Sequence, residues 1–401
     1  MLKIGIIGYG YVGKALSDRL SRFYDVICYE KDERKIVFSK ENKNLFLTNK
    51  PDSLVDCNVF IITVQTPVDD KDNPNLEFII DSTELVAKYL SRGDIIVYES
   101  TVYPGVTETI CGKLIEKNTG FELNKDFYLG YSPERISPGD KNHSITNIAK
   151  IVSASNSLAL YTIKEIYSKV TQEVFVADSI MEAEAAKLLE NLQRDVNIAL
   201  MNEYLSVMQK LRINIRNVID AANSKWNFNY YLPGFVGGHC IGIDTHYYIK
   251  VAQDVGIEPK IAKVSRITNE ESILNISNLI IKHVDKLNNK RVCVLGITYK
   301  ENIDDLRNSA SLKVINKLKN RGYEVLVFDP LVSESAARDM NIDLCSFEDI
   351  DDISALVCLV YHDVFDEFEF DGQIFENQDE AMVIDPNCKL IKLRNYNIFI
   401  I

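Results

Sequence analysis

The sequence predicts an α/β protein: two Rossmann-like parallel-sheet domains joined by a helical central domain with one long helix. Three observations carry this. Short apolar, β-branched runs alternate with helical spacing through the first part of the chain. From Ser179, some thirty residues pass without glycine or proline. Strand and helix patterns then alternate again from Lys290. Strands that are apolar throughout, rather than at every second residue, are buried on both faces, as in a parallel sheet covered by helices.

The first strand is "KIGIIG" (Lys3–Gly8), and "VGKALSDRLS" after it has helical spacing. "DVICYE" (Asp25–Glu30), "NVFIITV" (Asn58–Val64) and "DIIVYES" (Asp94–Ser100) are further strands, with "FIIDSTELVAKYLSRG" helical between the last two. The long helix opens with Ser179-x-x-Glu182, a capping-box pattern. The chain stays helical to about Leu287, interrupted by the loop "WNFNYYLPGFVGGHC". "KRVCVLGITYK" (Lys290–Lys300), "YEVLVFDP", "ALVCLVYHD" and "MVIDP" are strands of a second sheet. The expected domains are 1–178, 179–288 and 289–401.

A chain of 401 residues that is 46% hydrophobic supports large cores. Its formal charge of −13 argues against a broad nucleic-acid surface. The eight cysteines are dispersed and form no Cys-x-x-Cys pair, which reads as reduced cytoplasmic thiols rather than a disulfide framework or a metal site. The N-terminus is a strand entering a glycine turn, not a signal peptide, and no apolar run reaches the length of a membrane span.

"GYGYVG" supplies Gly8-x-Gly10-x-x-Gly13 between a strand and a helix, with Glu30 ending the next strand. That is the context of a dinucleotide fingerprint. Gly10 admits the pyrophosphate and the helix N-terminus attracts its charge. Glu30 suits ribose hydroxyls and repels a 2′-phosphate, favouring NAD over NADP, although Lys31 and Arg34 stand close in sequence. "TVQTP" (Thr63–Pro67) and "ESTVYPG" (Glu99–Gly105) lie at the carboxyl ends of predicted strands, where open parallel sheets bind ligands. Thr101 there suits a water or the cofactor.

Other patterns have a structural and a chemical reading. Glu134 and Arg135 sit between prolines in "YSPERISP", which suits a general base or a surface ion pair. Lys187 and Asn191 share a helix face with Arg194 beyond them, as oxyanion donors or as a solvated face. "GGHCIGID" places Cys240 behind Gly237 and Gly238. In the first turn of a helix its thiol would be acidified, with Asp244 one turn on and His239 pointing away; otherwise it is a small buried hydrophobe. Lys300 and Arg307 in "GITYKENIDDLRNS" suit phosphate or carboxylate contacts or a solvated loop.

Together "GYGYVG", "ESTVYPG", "YSPER", "KLLEN", "GGHCIGID" and "GITYKEN…LRNS" resemble, in order and spacing, the UDP-glucose/GDP-mannose dehydrogenase family. The "ESTVYPG" and "GGHCIGID" variants look most like the branch that acts on UDP-N-acetylhexosamines and supplies uronic acids for capsule or O-antigen. The resemblance implies NAD as cofactor, a UDP-sugar as substrate, no metal, a cytoplasmic homodimer, and four-electron oxidation of a sugar C6 alcohol. It makes Cys240 the nucleophile that holds the aldehyde and then a thioester. Lys187 and Asn191 would stabilise oxyanions, Asp244 and Thr101 would position a water, and Glu134 would assist hydrolysis. Gly8, Gly10, Tyr11, Val12, Gly13, Glu30, Thr66, Thr101 and Arg307 would bind cofactor. Glu134, Arg135, Lys187, Asn191, Gly237 and Lys300 would bind substrate. Thr245-His246 departs from the Pro-Tyr usual in the branch and bears on sugar specificity. UDP-glucose or UDP-N-acetylmannosamine oxidation is the alternative. A two-electron 6-phosphogluconate or 3-hydroxyacid type would not need Cys240, and a non-catalytic NAD-binding protein would not need the Lys/Asn/Cys/Asp set.

Overall fold

The computed structural model describes residues 2–36, 43–136, 144–238, 241–370, 374–375, 377, 380–385 and 390. His239, Cys240 and Cys388 lie outside the described residues. The chain divides into two compact units, one of residues 1–190 and 246–258, the other of residues 191–245 and 259–401.

The first unit contains β1 (Lys3–Ile7), α1 (Tyr11–Leu20), β2 (Asp25–Tyr29), β3 (Leu45–Thr48), β4 (Val59–Ile62), α2 (Glu77–Ala87), β5 (Asp94–Tyr98), α3 (Lys113–Thr119), β6 (Phe127–Tyr131), β7 (Lys150–Ala154), α4 (Ser157–Tyr167) and β8 (Val174–Val176). The sheet order is β3-β2-β1-β4-β5-β6-β7-β8. Every pairing is parallel except β6 with β7. Ile4, Ile6, Val59, Phe60, Ile61 and Ile62 are completely buried, which is why these strands read as unbroken apolar runs. From β1 the order grows outward both ways, so the crevice at the carboxyl ends of β1 and β4 is the topological switch point. Strands β3, β6, β7 and β8 escape the sequence pattern. Glycine interrupts β6, and β8 has only three residues.

The helix α5 (Ile180–Leu211) begins in the first unit and continues into the second. Its 32 residues make it about 48 Å long. Ser179 Oγ accepts the Glu182 N–H at 3.1 Å, half of the expected capping box. Leu188, Leu205 and Met208 are buried, whereas Leu189 and Leu200 are exposed, so among the described residues only part of this helix's apolar surface is covered. The second unit continues with α6 (Ile215–Asn223), the first turn of α7 (Ile241–Asp254), α8 (Lys260–Val284), β9 (Arg291–Leu295), α9 (Ala310–Asn320), β10 (Glu324–Phe328), α10 (Glu334–Asp339), β11 (Ala355–Cys358) and β12 (Met382–Ile384). Its sheet, in the order β10-β9-β11-β12, is parallel throughout. Leu205 and Met208 of α5 share a core with Ile273, Ile276 and Ile280 of α8 and with Val292 and Val294 of β9. Among the described residues, no helix is long and apolar enough to cross a membrane.

Candidate active site

The fingerprint sits at the switch point. Gly8, directly after β1, has φ +99°, a left-handed conformation that favours glycine. A Cβ on Gly13 would lie 2.0 Å from the Gly8 carbonyl oxygen, so only glycine lets α1 pack this close to β1. A Cβ on Gly10 would meet nothing within 4 Å, and no side chain caps the α1 N-terminus that Gly10 opens. Open space at the positive end of a helix fits a pyrophosphate. Tyr11 is half-exposed and Val12 partly buried in the first turn. Glu30 follows β2, and its carboxylate accepts the Tyr9 N–H at 2.9 Å and the Asp32 N–H at 3.0 Å. This orients an acid beside the glycine turn. Arg34 forks onto Asp32 through two contacts of 2.9 Å, so its charge is committed there. Thr66 follows β4 and Thr101 follows β5, both partly buried at the same edge.

Glu134 and Lys187 meet within the first unit. Lys187 Nζ donates to the Glu134 main-chain carbonyl at 2.8 Å, and both residues are buried. Lys187 is therefore not on a solvated face. The Glu134 carboxylate turns inward: Oε1 accepts the N–H groups of Arg135 (2.7 Å) and Ile136 (2.8 Å), and Oε2 accepts from Lys150 Nζ. Lys150 also donates to Glu99 Oε2 at 2.6 Å, and the Tyr167 hydroxyl donates to Glu99 Oε1. Burial, opposed by Lys150 and reinforced by Glu134, pushes the Glu99 carboxyl up to about 7. Arg135 pairs with Glu190 at 3.3 Å. Glu184 of α5 accepts the N–H groups of Gly105 (2.6 Å) and Thr107 (2.9 Å), holding the loop that contains Thr101. Glu99, Lys150, Tyr167 and Glu184 are absent from the sequence-based set: no motif marks the last three, and Glu99, although it opens "ESTVYPG", is assigned no role there.

Asn191 and Asp244 meet within the second unit. Asn191 Nδ2 donates to Asp244 Oδ2, with both side chains buried. Asn191 lies one turn beyond Lys187 on α5, and Asp244 lies in the first turn of α7, directly after "GGHC". Arg194 is exposed. The next turn of α5 is also fixed: Asp195 accepts from Arg266 Nη1 (2.7 Å) and Asn269 Nδ2 (2.8 Å) of α8. Arg266 packs against Gly242, where a Cβ would lie 3.2 Å from Nη1.

The glycine pair Gly237 and Gly238 approaches its own chain closely. A Cβ on Gly237 would lie 2.9 Å from the Asn308 carbonyl oxygen, and one on Gly238 would lie 2.5 Å from the Tyr299 ring. The segment carrying Lys300 follows β9 and is held on His362, whose Nδ1 accepts the Asn302 N–H at 2.9 Å. Thr298 Oγ1 donates to the Lys300 carbonyl at 2.8 Å. Arg307 is drawn onto Asp305, its Nε donating to Oδ1 at 2.9 Å. Among the described cysteines, burial pushes Cys28 up to about 12 and Cys57 and Cys111 up to about 11, which leaves them poor nucleophiles at neutral pH.

Three family models match the chain in sequence order: the UDP-glucose/GDP-mannose dehydrogenase family NAD-binding domain at residues 26–171, its central domain at 181–271 and its UDP-binding domain at 293–390. The UDP-N-acetyl-D-glucosamine 6-dehydrogenase of Salmonella typhi is 38% identical over 385 residues, covering 91% of each chain. Protein CapL of Staphylococcus aureus is 37% identical over 408 residues, covering 97% of this chain and 94% of its own. The structure of a UDP-D-ManNAc dehydrogenase from Pyrococcus horikoshii superimposes with a TM-score of 0.88 at 27% identity, covering 99% of this chain and 98% of its own.

Proposed function

Because this chain belongs to the UDP-glucose/GDP-mannose dehydrogenase family and is an NAD-dependent UDP-sugar dehydrogenase, we propose that it oxidises the C6 alcohol of a UDP-N-acetylhexosamine to the uronate. UDP-N-acetylglucosamine or UDP-N-acetylgalactosamine is the substrate in this reading, and the uronate serves surface polysaccharide synthesis. The observation that carries it is the buried pairing of Asn191 with Asp244 beside the turn that follows Cys240. An amide and a carboxylate held together at that turn suit a carbonyl carbon that is attacked first by a thiol and then by water.

NAD, when bound, accepts one hydride in each of the two oxidations. The residues do the rest. The Cys240 thiolate adds to the aldehyde carbon and forms a C–S bond, while the carbonyl π electrons move to oxygen. Lys187 and Asn191 donate to that oxygen. Loss of the second hydride leaves a thioester. Water, held by Asp244 and Thr101, adds to it, and the C–S bond breaks with the electron pair leaving on sulfur. Glu134 supports hydrolysis through the carbonyl that holds Lys187. Over the whole cycle one alcohol, two NAD⁺ and one water become one carboxylate, two NADH and three protons. Gly8, Gly10, Tyr11, Val12, Gly13, Glu30, Thr66, Thr101 and Arg307 bind NAD in this reading. Arg135, Gly237 and Lys300 bind the UDP-sugar, and the domains are 1–178, 179–288 and 289–401.

A second copy of the chain belongs to the proposal. Leu200, Tyr204 and Val207 of α5 and Ile261, Val264 and Ile267 of α8 are exposed in the single chain, and Val196, Leu200, Ile261 and Val264 line one groove. So much contiguous apolar surface calls for cover. A cytoplasmic location fits the free thiols and the sugar nucleotide. The Pyrococcus likeness favours a second reading, oxidation of UDP-N-acetylmannosamine. The deciding assay is a panel of UDP-sugars with NAD, measuring NADH and uronate together. Two NADH per uronate, fastest with a UDP-N-acetylhexosamine, is expected; one NADH with free aldehyde overturns the thioester reading.

A further inference from the structure

We infer that Lys150 is a positioning residue for this oxidation, acting through the main-chain carbonyl of Glu134 on Lys187. The inference rests on the proposed role of Lys187. Lys150 begins β7, and its ammonium is buried with three acceptors: Glu99 Oε2 at 2.6 Å, the Pro133 carbonyl at 3.2 Å and Glu134 Oε2. Those acceptors match the three N–H donors of an ammonium. The Tyr167 hydroxyl donates to the other oxygen of Glu99, and the Tyr167 ring centroid lies 5.5 Å from Lys150 Nζ. Burial works against the lysine's charge, but the two carboxylates outweigh it and Lys150 stays protonated.

An apolar core would fill this space at lower cost than an ammonium and two carboxylates. What the ionic cluster supplies is geometry, and the geometry it sets is that of residues 133–136. Lys150 holds Pro133 by its carbonyl and Glu134 by its carboxylate. The remaining Glu134 oxygen gathers the N–H groups of Arg135 and Ile136. The Glu134 carbonyl is thereby aimed at Lys187 Nζ, 2.8 Å away. One Lys187 donor is engaged there, which sets the directions of the other two. A continuous chain of contacts thus runs from Tyr167 through Glu99, Lys150 and Glu134 to the proposed oxyanion donor. A misplacement of about 1 Å at such a donor costs up to about 100-fold in rate.

Removing Lys150 alone would strand two buried carboxylates, so the test variant is Glu99→Gln/Lys150→Met. It is expected to bind NAD as the wild type does, because the glycine turn and Glu30 are untouched, and to lose about 10- to 100-fold in kcat. In a Lys187→Ala background the paired change should cost less than about twofold further, since the group it acts through is gone. Amine labelling of Lys187, read by peptide mass spectrometry, should rise about tenfold in Glu99→Gln/Lys150→Met once the Glu134 carbonyl no longer holds it. If the pair does not fold, Lys150→Arg carries the same test, with lower turnover on its own and less than about twofold further loss when added to Lys187→Ala. Wild-type kcat in the paired variant, or its full loss repeated in the Lys187→Ala background, overturns the proposal. If Lys187→Ala itself retains wild-type turnover, the catalytic reading of Lys187 falls, and labelling alone decides whether Lys150 places it.

Discussion

Asn191 Nδ2 donates to Asp244 Oδ2, joining α5 to the first turn of α7 through two buried side chains. Asp244→Asn keeps the shape and removes the charge. It is expected to lower kcat by about 10²–10³ and to leave KM for the UDP-sugar within a few-fold. Steady-state kinetics at saturating NAD checks this, and an unchanged kcat would remove Asp244 from the chemistry.

Cys240→Ala should bind NAD and sugar and produce no uronate, because no thioester can form. Cys240→Ser is more informative. Its hydroxyl can attack the aldehyde, but the resulting ester hydrolyses more slowly than a thioester. Intact mass after incubation with substrate and NAD should show a covalent adduct. Wild-type uronate production by Cys240→Ala would make the thiol structural.

Glu30 is held by the Tyr9 and Asp32 amides, so its charge is fixed beside the glycine turn. NAD should be preferred over NADP by kcat/KM. Glu30→Gln should reduce that preference at least about tenfold, since one like-charge repulsion of this kind is worth on the order of 1.4 kcal/mol or more. Equal efficiency of the wild-type protein with both cofactors would exclude Glu30 as the ribose ligand.

The Glu99 carboxyl, raised by burial to about 7 in the folded protein against an ordinary value of 4.5, favours the folded state when protonated. Its contribution to stability is fully present below about pH 4.5 and is lost as pH rises through about 7. Glu99→Gln mimics the protonated form. The difference in Tm between wild type and Glu99→Gln should therefore move against the wild type between about pH 4.5 and 7. Thermal melts across that window test it. A flat difference would mean that Glu99 is ionised in both states.

The exposed apolar face of α5 and α8 should bury itself in a second copy of the chain. Light scattering at micromolar concentration should give a dimer, and Leu200→Asp/Ile261→Asp should give a monomer that still binds NAD. A monomeric wild-type protein would leave that face to another partner.

The sequence by itself determined the features whose constraints are local in the chain. A left-handed Gly8 and a Gly13 packed on its carbonyl require glycine at those spacings, so the glycine turn was legible without a fold. The long helix was legible because its start and its lack of helix breakers are local properties. The Lys187–Asn191 spacing was legible too, but whether that face was wet or buried was not. Only tertiary structure decided that, by bringing the Glu134 carbonyl, 53 residues away, onto Lys187, and Asp244, also 53 residues away, onto Asn191. Lys150 with Glu99, and Glu184 with Gly105, are joined across 51 and 79 residues. A lysine or glutamate in a sequence looks the same whether it faces water or a buried opposite charge. The partner, and with it the cost of burial and the direction in which the group points, exists only once the sheet and α5 have packed.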